Sequence, residues 1–222
     1  MYSDYDKYAM GSGISSLTLD KYKSSIKDAM ISPNIIEERT GNPLQIDVFS
    51  KLYTNRILFL GTEIDSDVAN IINSQLLHLQ MEDKRKPITI YINTPGGSVY
   101  DGLSIYDTMN SIECPVYTTC VGLAASMGSV LLAAGEKGHR MALPHSRVLL
   151  HQPIGGTGRA QASDIEIINN EIQKLKKELF EILSDCSNKS YAEIEKLADR
   201  DCWLTSMEAK QLGLIDEIIK KK

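Results

Sequence analysis

From Asp47 to His151 the chain alternates between short runs rich in β-branched residues and longer segments with helical periodicity. Asp47–Asn55 reads as a short helix and Arg56-Ile-Leu-Phe-Leu-Gly61 as a buried strand. Asp65–Asp83 reads as a helix with Val68, Ile71, Ile72, Leu76 and Leu79 on one stripe. Ile88-Thr-Ile-Tyr-Ile-Asn93 is the next strand, Pro95-Gly-Gly97 a turn, and Val99–Ile112 a helix. Val116–Val121 is a strand, Gly122–Ser126 a tight junction, and a small-residue helix runs to about Ala134. Arg140–Leu143 and Arg147–His151 are two short strands. Repeated strand–helix order of this kind predicts an α/β fold built from βαβ units.

The pattern changes after His151. Gly155-Gly156-Thr157-Gly158 is a stretch suited to flexibility or to close approach by a ligand. Ser163-Asp-Ile-Glu166 has the form of a capping box, and the helix it opens runs to about Asp185. Its apolar residues are Ile165, Ile168, Ile172, Leu175, Leu179 and Ile182, spaced by three and four with Glu and Lys between. That stripe is nearer to a coiled-coil seam than to a broad core face, which favours a subunit contact over packing on its own domain. Short helices near Tyr191–Ala198 and Ser206–Leu212 and a Leu214–Ile219 segment close the chain. Residues 1–30, rich in Tyr, Ser, Asp and Gly at the start, carry no strong core pattern beyond a short helix at Thr18–Met30.

Composition narrows the function. The 222 residues can bury a core without disulfide or metal staples. Lys plus Arg is 24 against 29 Asp plus Glu, a net charge of −5, which argues against a general nucleic-acid binder. No apolar run reaches the roughly 18 residues of a membrane span, and residues 1–30 lack the layout of a secretory signal. Cys114, Cys120, Cys186 and Cys202 form neither a CxxC pair nor a zinc pattern and read as free thiols in a reducing compartment. A cytoplasmic protein without metal or cofactor is expected.

Gly122-Leu-Ala-Ala-Ser-Met-Gly128 is the segment best suited to chemistry. An apolar strand ends in small residues, then a Ser, then a helix. A serine on such a turn exposes its Oγ, and the helix N-terminus offers N–H groups for an oxyanion. Ala124 stands where the GxSxG elbow has its first glycine, so the motif differs from that of the α/β hydrolases. A nucleophilic serine needs a base. His78 falls inside a helix, and His139 and His145 in charged or proline-adjacent loops. His151 ends an apolar strand and opens onto a loop, and is preferred. The orienting acid is best assigned to Asp201, before the apolar Cys-Trp-Leu, where a carboxylate is more readily held than solvated; Asp185, Asp199 and Asp216 stay open. Asn93-Thr-Pro-Gly-Gly97 offers further backbone N–H groups, while the absence of GK[ST] and GxGxxG argues against nucleotide binding.

Across about residues 33–222 the chain resembles the proteolytic subunits of the Clp protease. The resemblance rests on Tyr91-Ile-Asn-Thr-Pro-Gly-Gly97, Ser104-Ile-Tyr-Asp-Thr-Met109, Ala124-Ala-Ser-Met-Gly128, Ser146-Arg-Val, His151-Gln-Pro153 and Asp164-Ile-Glu166. It implies Ser126 as nucleophile, His151 as base and Asp201 as acid, with the N–H groups of Gly97 and Met127 as oxyanion donors. It implies a crotonase-like α/β spiral fold with a protruding handle at about residues 155–188. The implied assembly is a homo-oligomer of two stacked seven-subunit rings, fed with unfolded proteins by an AAA+ unfoldase of the ClpX, ClpA or ClpC kind. Candidate ring–ring contacts are Ile168, Ile172, Leu175, Asp199 and Arg200. Candidate ATPase-docking residues are Tyr91, Val121 and Met141, with the smaller or more polar Thr89, Ser111 and Thr119 also falling in that pocket. Residues 1–30 exceed the family's mature subunit, as a propeptide would, and residues 31–222 form the peptidase domain. Two rivals remain: an inactive ring subunit, and a crotonase-type acyl-CoA enzyme, which would need CoA-binding groups and acidic catalysts in place of Ser126 and His151.

Overall fold

The computed structural model describes residues 34–39, 42–156 and 158–220, so the expected extension at residues 1–30 and its short helix lie outside the described residues. The chain divides into two compact units between Asn55 and Arg56. In the first, strand β1 (Asn34–Arg39) pairs antiparallel with β2 (Asn42–Asp47), Asn34 opposite Asp47 and Arg39 opposite Asn42. Glu37-Glu38-Arg39 and Pro43 interrupt the apolar alternation there, which is why the sequence does not announce this hairpin. Helix α1 (Val48–Thr54) follows, capped by the Asp47 carboxylate, which accepts from the Ser50 N–H at 2.9 Å.

The second unit is a mixed α/β structure around a mostly parallel seven-stranded sheet. Its elements are β3 (Ile57–Leu60), α2 (Ser66–Glu82), β4 (Ile88–Thr94), α3 (Val99–Ser111), β5 (Val116–Ala125), α4 (Met127–Ala133), β6 (Arg140–Ala142), β7 (Arg147–Leu150), α5 (Ala162–Cys186), α6 (Tyr191–Leu197), β8 (Cys202–Thr205), α7 (Ser206–Gln211) and β9 (Glu217–Ile218). The strand order is β3-β4-β5-β6-β9, with β7 paired to β5 and to β8; only the β7–β8 pair is antiparallel.

Burial follows the strand period. In β4, Ile88, Ile90, Ile92 and Thr94 are buried, while Thr89 and Tyr91 are half-buried on the other face. The helices supply matching stripes: Ala69, Ile72, Leu76 and Leu79 from α2, Gly102, Ile105 and Met109 from α3. Ile71, expected in the α2 stripe, is exposed, because it lies to one side of the face these four residues define. Helix α4 is buried all round. At the start of β6, Arg140 is buried and forms a two-pronged pair with Asp216, Nη2 to Oδ1 at 2.6 Å and Nε to Oδ2 at 2.9 Å.

Strand β5 is longer than the expected Val116–Val121 and runs through Gly122. Thr118–Cys120 pair with β6, whereas Leu123–Ala125 pair with β7. The change of partner falls at Gly122, where φ is 145° and a Cβ would lie 2.6 Å from Asn93 Oδ1. Cys202–Thr205, expected only as an apolar patch, is the edge strand β8, and Trp203 is exposed on it.

Helix α5 begins at Ala162 with Gln161 as its N-cap and no side-chain cap bond. The expected Ser163–Glu166 capping box therefore does not form: Ser163 is already in the first turn, where Ile165 N–H donates to the Gln161 carbonyl at 3.0 Å. The apolar stripe divides in two. Leu179 and Ile182 are buried with Phe180 and Leu183 on their own domain, Ile172 and Leu175 are half-buried, and Ile165 and Ile168 are exposed. Every residue from Gln161 to Asn170 is exposed.

Candidate active site

Ser126 sits between the end of β5 and the start of α4 with φ 53° and ψ −123°. A non-glycine residue at such φ is held against a backbone cost of about 1–3 kcal/mol, and such strain concentrates at functional positions. Two contacts hold it there. The Ser126 N–H donates to the Leu149 carbonyl at 3.0 Å, fixing the elbow to β7. On the other side the Pro95-Gly96-Gly97 turn packs against it. A Cβ on Gly96, where φ is 94°, would lie 2.7 Å from both Ser126 Cβ and the Ala125 carbonyl oxygen. That turn is in turn bridged to Ile64, whose N–H donates to the Gly96 carbonyl at 2.8 Å and whose carbonyl accepts from Ser98 at 2.9 Å.

Both oxyanion candidates are thereby brought to Ser126. Met127 is the first residue of α4, so its N–H has no intrahelical acceptor. Gly97 N–H has no acceptor among the described residues, because the Ile64 bridge uses the groups on either side of it. A Cβ on Gly96 would also lie 3.2 Å from the Met127 nitrogen.

The same β5–β7 pairing delivers His151. Ala125 is opposite Leu149, and His151 follows two residues later, just past the strand end. Ser126, Met127 and His151 line one small pocket, walled by Leu179, Phe180 and Leu183 of α5. His151 Nδ1 lies 2.6 Å from the Gln152 carbonyl oxygen. A carbonyl can only accept, so Nδ1 carries the proton, and neutral imidazole then presents a bare Nε2 lone pair. This is the tautomer a general base needs.

Asp201 shares a cleft of about 570 Å³ with His151, Gln152, Gly155, Asp199 and Arg200. The carboxylate is exposed rather than held, and among the described residues no hydrogen bond joins it to His151 or joins Ser126 Oγ to His151. The apolar residues behind it belong to an edge strand and do not enclose it. What ties the two segments together is Gln152, a residue sequence reasoning passed over: its N–H donates to the Ala198 carbonyl at 3.1 Å and its Nε2 to the Asp199 carbonyl at 2.9 Å. Of the other carboxylates weighed, Asp216 is taken up by Arg140 and Asp185 is exposed at the end of α5, while Asp199 is exposed in the His151 cleft. His78, His139 and His145 are exposed, and His139 stacks on Tyr117 with ring centroids 4.0 Å apart.

On the sheet face away from the helices, register aligns Phe59, Tyr91, Thr119 and Met141 in one row across β3 to β6. Val121 is half-buried two residues beyond Thr119. Phe59, 39% exposed, belongs to this row and was not singled out from sequence. Asp199 and Arg200 are exposed, and all four cysteines are free. Among the described residues no helix is long and apolar enough to cross a membrane, and no cluster of three or more His, Cys, Asp or Glu is placed to hold a metal ion.

A family model for Clp protease matches residues 40–222. The chain belongs to the Clp protease family. A protein of Porphyromonas gingivalis, called ATP-dependent Clp protease proteolytic subunit, is 53% identical over 220 residues, covering 99% of this chain and 98% of its own length. A protein of the same description from Bacteroides fragilis is 54% identical over 220 residues, with 99% of both chains covered. The ATP-dependent Clp protease proteolytic subunit 3 of a Synechococcus species is 52% identical over 190 residues, 85% of this chain and 95% of its own. The Clp match spans the Gly97 turn, the Ser126 elbow and the Asp201 segment together.

Proposed function

We propose that this chain is a serine endopeptidase, the proteolytic subunit of a Clp complex, hydrolysing unfolded proteins to short peptides. The observation that carries the reading is the strained Ser126 elbow, bonded to Leu149 two residues before a histidine whose Nε2 is free. Family membership and relatives of the same description at more than half identity give it independent support.

In the proposed reaction Ser126 Oγ attacks the scissile carbonyl while His151 Nε2 takes its proton. The N–H groups of Gly97 and Met127 donate to the oxyanion, each contributing on the order of 2.7–4 kcal/mol. His151 then returns the proton to the leaving amine, and the acyl group on Ser126 is released by water activated through the same imidazole. Asp201 stabilises the imidazolium. To do so its carboxylate takes the place of the Gln152 carbonyl on Nδ1, a rearrangement confined to the cleft the three residues share.

The finer architecture belongs to the same proposal: a crotonase-like spiral in which α5 is the handle, within two stacked seven-subunit rings. The exposed run Gln161–Asn170 and the half-buried Ile172 and Leu175 are suited to a ring–ring contact, with exposed Asp199 and Arg200 alongside. The Tyr91–Met141 row, with Val121 and Phe59, is suited to an AAA+ unfoldase of the ClpX, ClpA or ClpC kind, which would use the ATP. Residues 1–30 are a propeptide ahead of a 31–222 peptidase domain, and the complex works in the cytoplasm. Ser126→Ala tests the core of the proposal: cleavage of small peptides and of fed proteins is lost with assembly intact, and hydrolysis near the wild-type rate would refute it.

A further inference from the structure

Tyr100 is the second residue of α3, three positions after Gly97, and its side chain is largely outside the core, the residue being 61% exposed. Its hydroxyl nevertheless has a fixed partner, donating to Glu171 Oε1 of α5 at 3.2 Å. The other Glu171 oxygen accepts from Lys174 at 3.2 Å. Among the described residues this is the one hydrogen bond between α3 and α5. Desolvation, followed by the Glu171 carboxylate, raises the Tyr100 hydroxyl above its ordinary pKa, so it remains a donor through the neutral range.

The next residue on α5, Ile172, meets the segment that leaves the active-site histidine. A Cβ on Gly155 would lie 2.8 Å from Ile172 Cδ1, and Gly155 is four residues past His151. Tyr100, Gly155, Gly156, Glu171, Ile172 and Leu175 line one cleft of about 590 Å³. At Gly155 it adjoins the cleft that holds His151 and Asp201. One helix, α5, thus touches the chain leaving Gly97 through Glu171 and the chain leaving His151 through Ile172. A single exposed hydrogen bond adds little to stability. What this one fixes is a distance, and small displacements in a site are costly to reaction.

We infer that Tyr100 is a positioning residue of the peptidase: by holding Glu171, its hydroxyl sets the wall of the cleft in which the substrate chain lies beside His151. The inference rests on the peptidase reading above. Removing the hydroxyl loosens the wall without touching Ser126, His151 or the oxyanion donors, so the loss falls on KM.

The test is a double-mutant cycle on the full-length protein with a fluorogenic peptide, using Tyr100→Phe, Glu171→Ala, the double mutant and Glu171→Gln. Tyr100→Phe and Glu171→Ala are each expected to raise KM roughly threefold to tenfold with kcat within about twofold, and the double mutant to be no worse than either. Glu171→Gln, which keeps an acceptor oxygen, recovers most of the Glu171→Ala loss. Labelling of Ser126 by a small fluorophosphonate, which does not occupy the cleft, keeps its rate in all four. Wild-type KM in Tyr100→Phe, losses that multiply in the double mutant, or a changed sedimentation coefficient with KM intact would each overturn the inference. A wild-type chain that neither cleaves nor labels overturns the peptidase reading itself.

Discussion

His151 Nδ1–H donates to the backbone carbonyl of Gln152 at 2.6 Å. The histidine therefore has its working tautomer before any carboxylate reaches it. The remaining task of the proposed acid, Asp201, is to stabilise the imidazolium, and it lines the same cleft as His151. A main-chain carbonyl is removed by no side-chain substitution, so Asp201→Asn leaves the tautomer supported. Turnover is expected to fall by more than about 10²-fold but by less than the roughly 10⁴-fold seen when the tautomer is also lost. Steady-state kinetics on Asp201→Asn and Asp199→Asn check this. A larger loss in Asp199→Asn would move the acid assignment to that residue.

Gly96 offers a test of the oxyanion turn. Gly96→Ala would put a methyl 2.7 Å from Ser126 Cβ at a φ of 94°. The turn or the elbow must shift, displacing Gly97 N–H from the oxyanion position. Losing one such donor costs about 10²–10³ in kcat. Circular dichroism should show a folded protein whose kcat has dropped by that order. Near-normal kcat would mean that the turn does not serve the oxyanion.

Arg140 and Asp216 link β6 to the segment before β9 and set an acid limit on stability. Burial pushes the Asp216 carboxyl up, but hydrogen bonds from Arg140, from its backbone N–H and from Gly138 outweigh this and hold the pKa at about 2. A folded-state pKa below the unfolded one stabilises above about pH 4, and that contribution disappears as pH falls through about 2. Asp216→Asn should flatten urea-unfolding stability between those values. It should also destabilise at neutral pH by about 3–5 kcal/mol, because Arg140 is left buried without its counter-charge. An unchanged acid profile in the variant would show that Asp216 does not carry the linkage.

The first turn of α5 allows the proposed ring contact to be tested apart from the substrate cleft. Ile165 is exposed and outside the cleft that Ile168, Glu171, Ile172 and Leu175 line with Tyr100 and Gly155. Glutamate at Ile165 would place an unpaired charge in the proposed ring contact, where desolvation makes it costly. Sedimentation velocity should then show single rings. A full two-ring particle would place the ring contact elsewhere. Ile172→Glu should damage assembly and peptide KM together, since Ile172 also packs on Gly155.

If residues 1–30 are a propeptide removed by the enzyme itself, Ser126→Ala expressed alone keeps them. Intact mass decides: mature-length protein from that variant would exclude self-processing.

Much of this was legible because β3, α2, β4 and α3 each carry their own period. The Ile88–Thr94 alternation and the α2 stripe are local properties, and the Ser126 elbow is flanked by small residues on both sides. What was not legible depends on partners distant in sequence. Gly122 reads as a strand end, yet β5 continues through it, because β7 takes over from β6 as its neighbour. Asp201 reads as a held carboxylate only if Cys202–Leu204 is an enclosed patch, whereas β7 makes it an edge strand. Ser163–Glu166 matches a capping pattern, but capping boxes form instead at Ser190–Glu193 and at Thr205–Glu208, the latter where the helix start is fixed by the preceding strand. Gln152 and Tyr100 were missed because their roles lie in bonds to Asp199 and Glu171, 47 and 71 residues away.

The decisive measurement is mass mapping of a fluorophosphonate adduct on the wild-type protein. A serine activated by His151 reacts at a single site, so one adduct is expected on the peptide containing Ser126, with none in Ser126→Ala and a strongly slowed reaction in His151→Ala. No adduct, or an adduct on another serine with Ser126 unmodified, would contradict the peptidase reading.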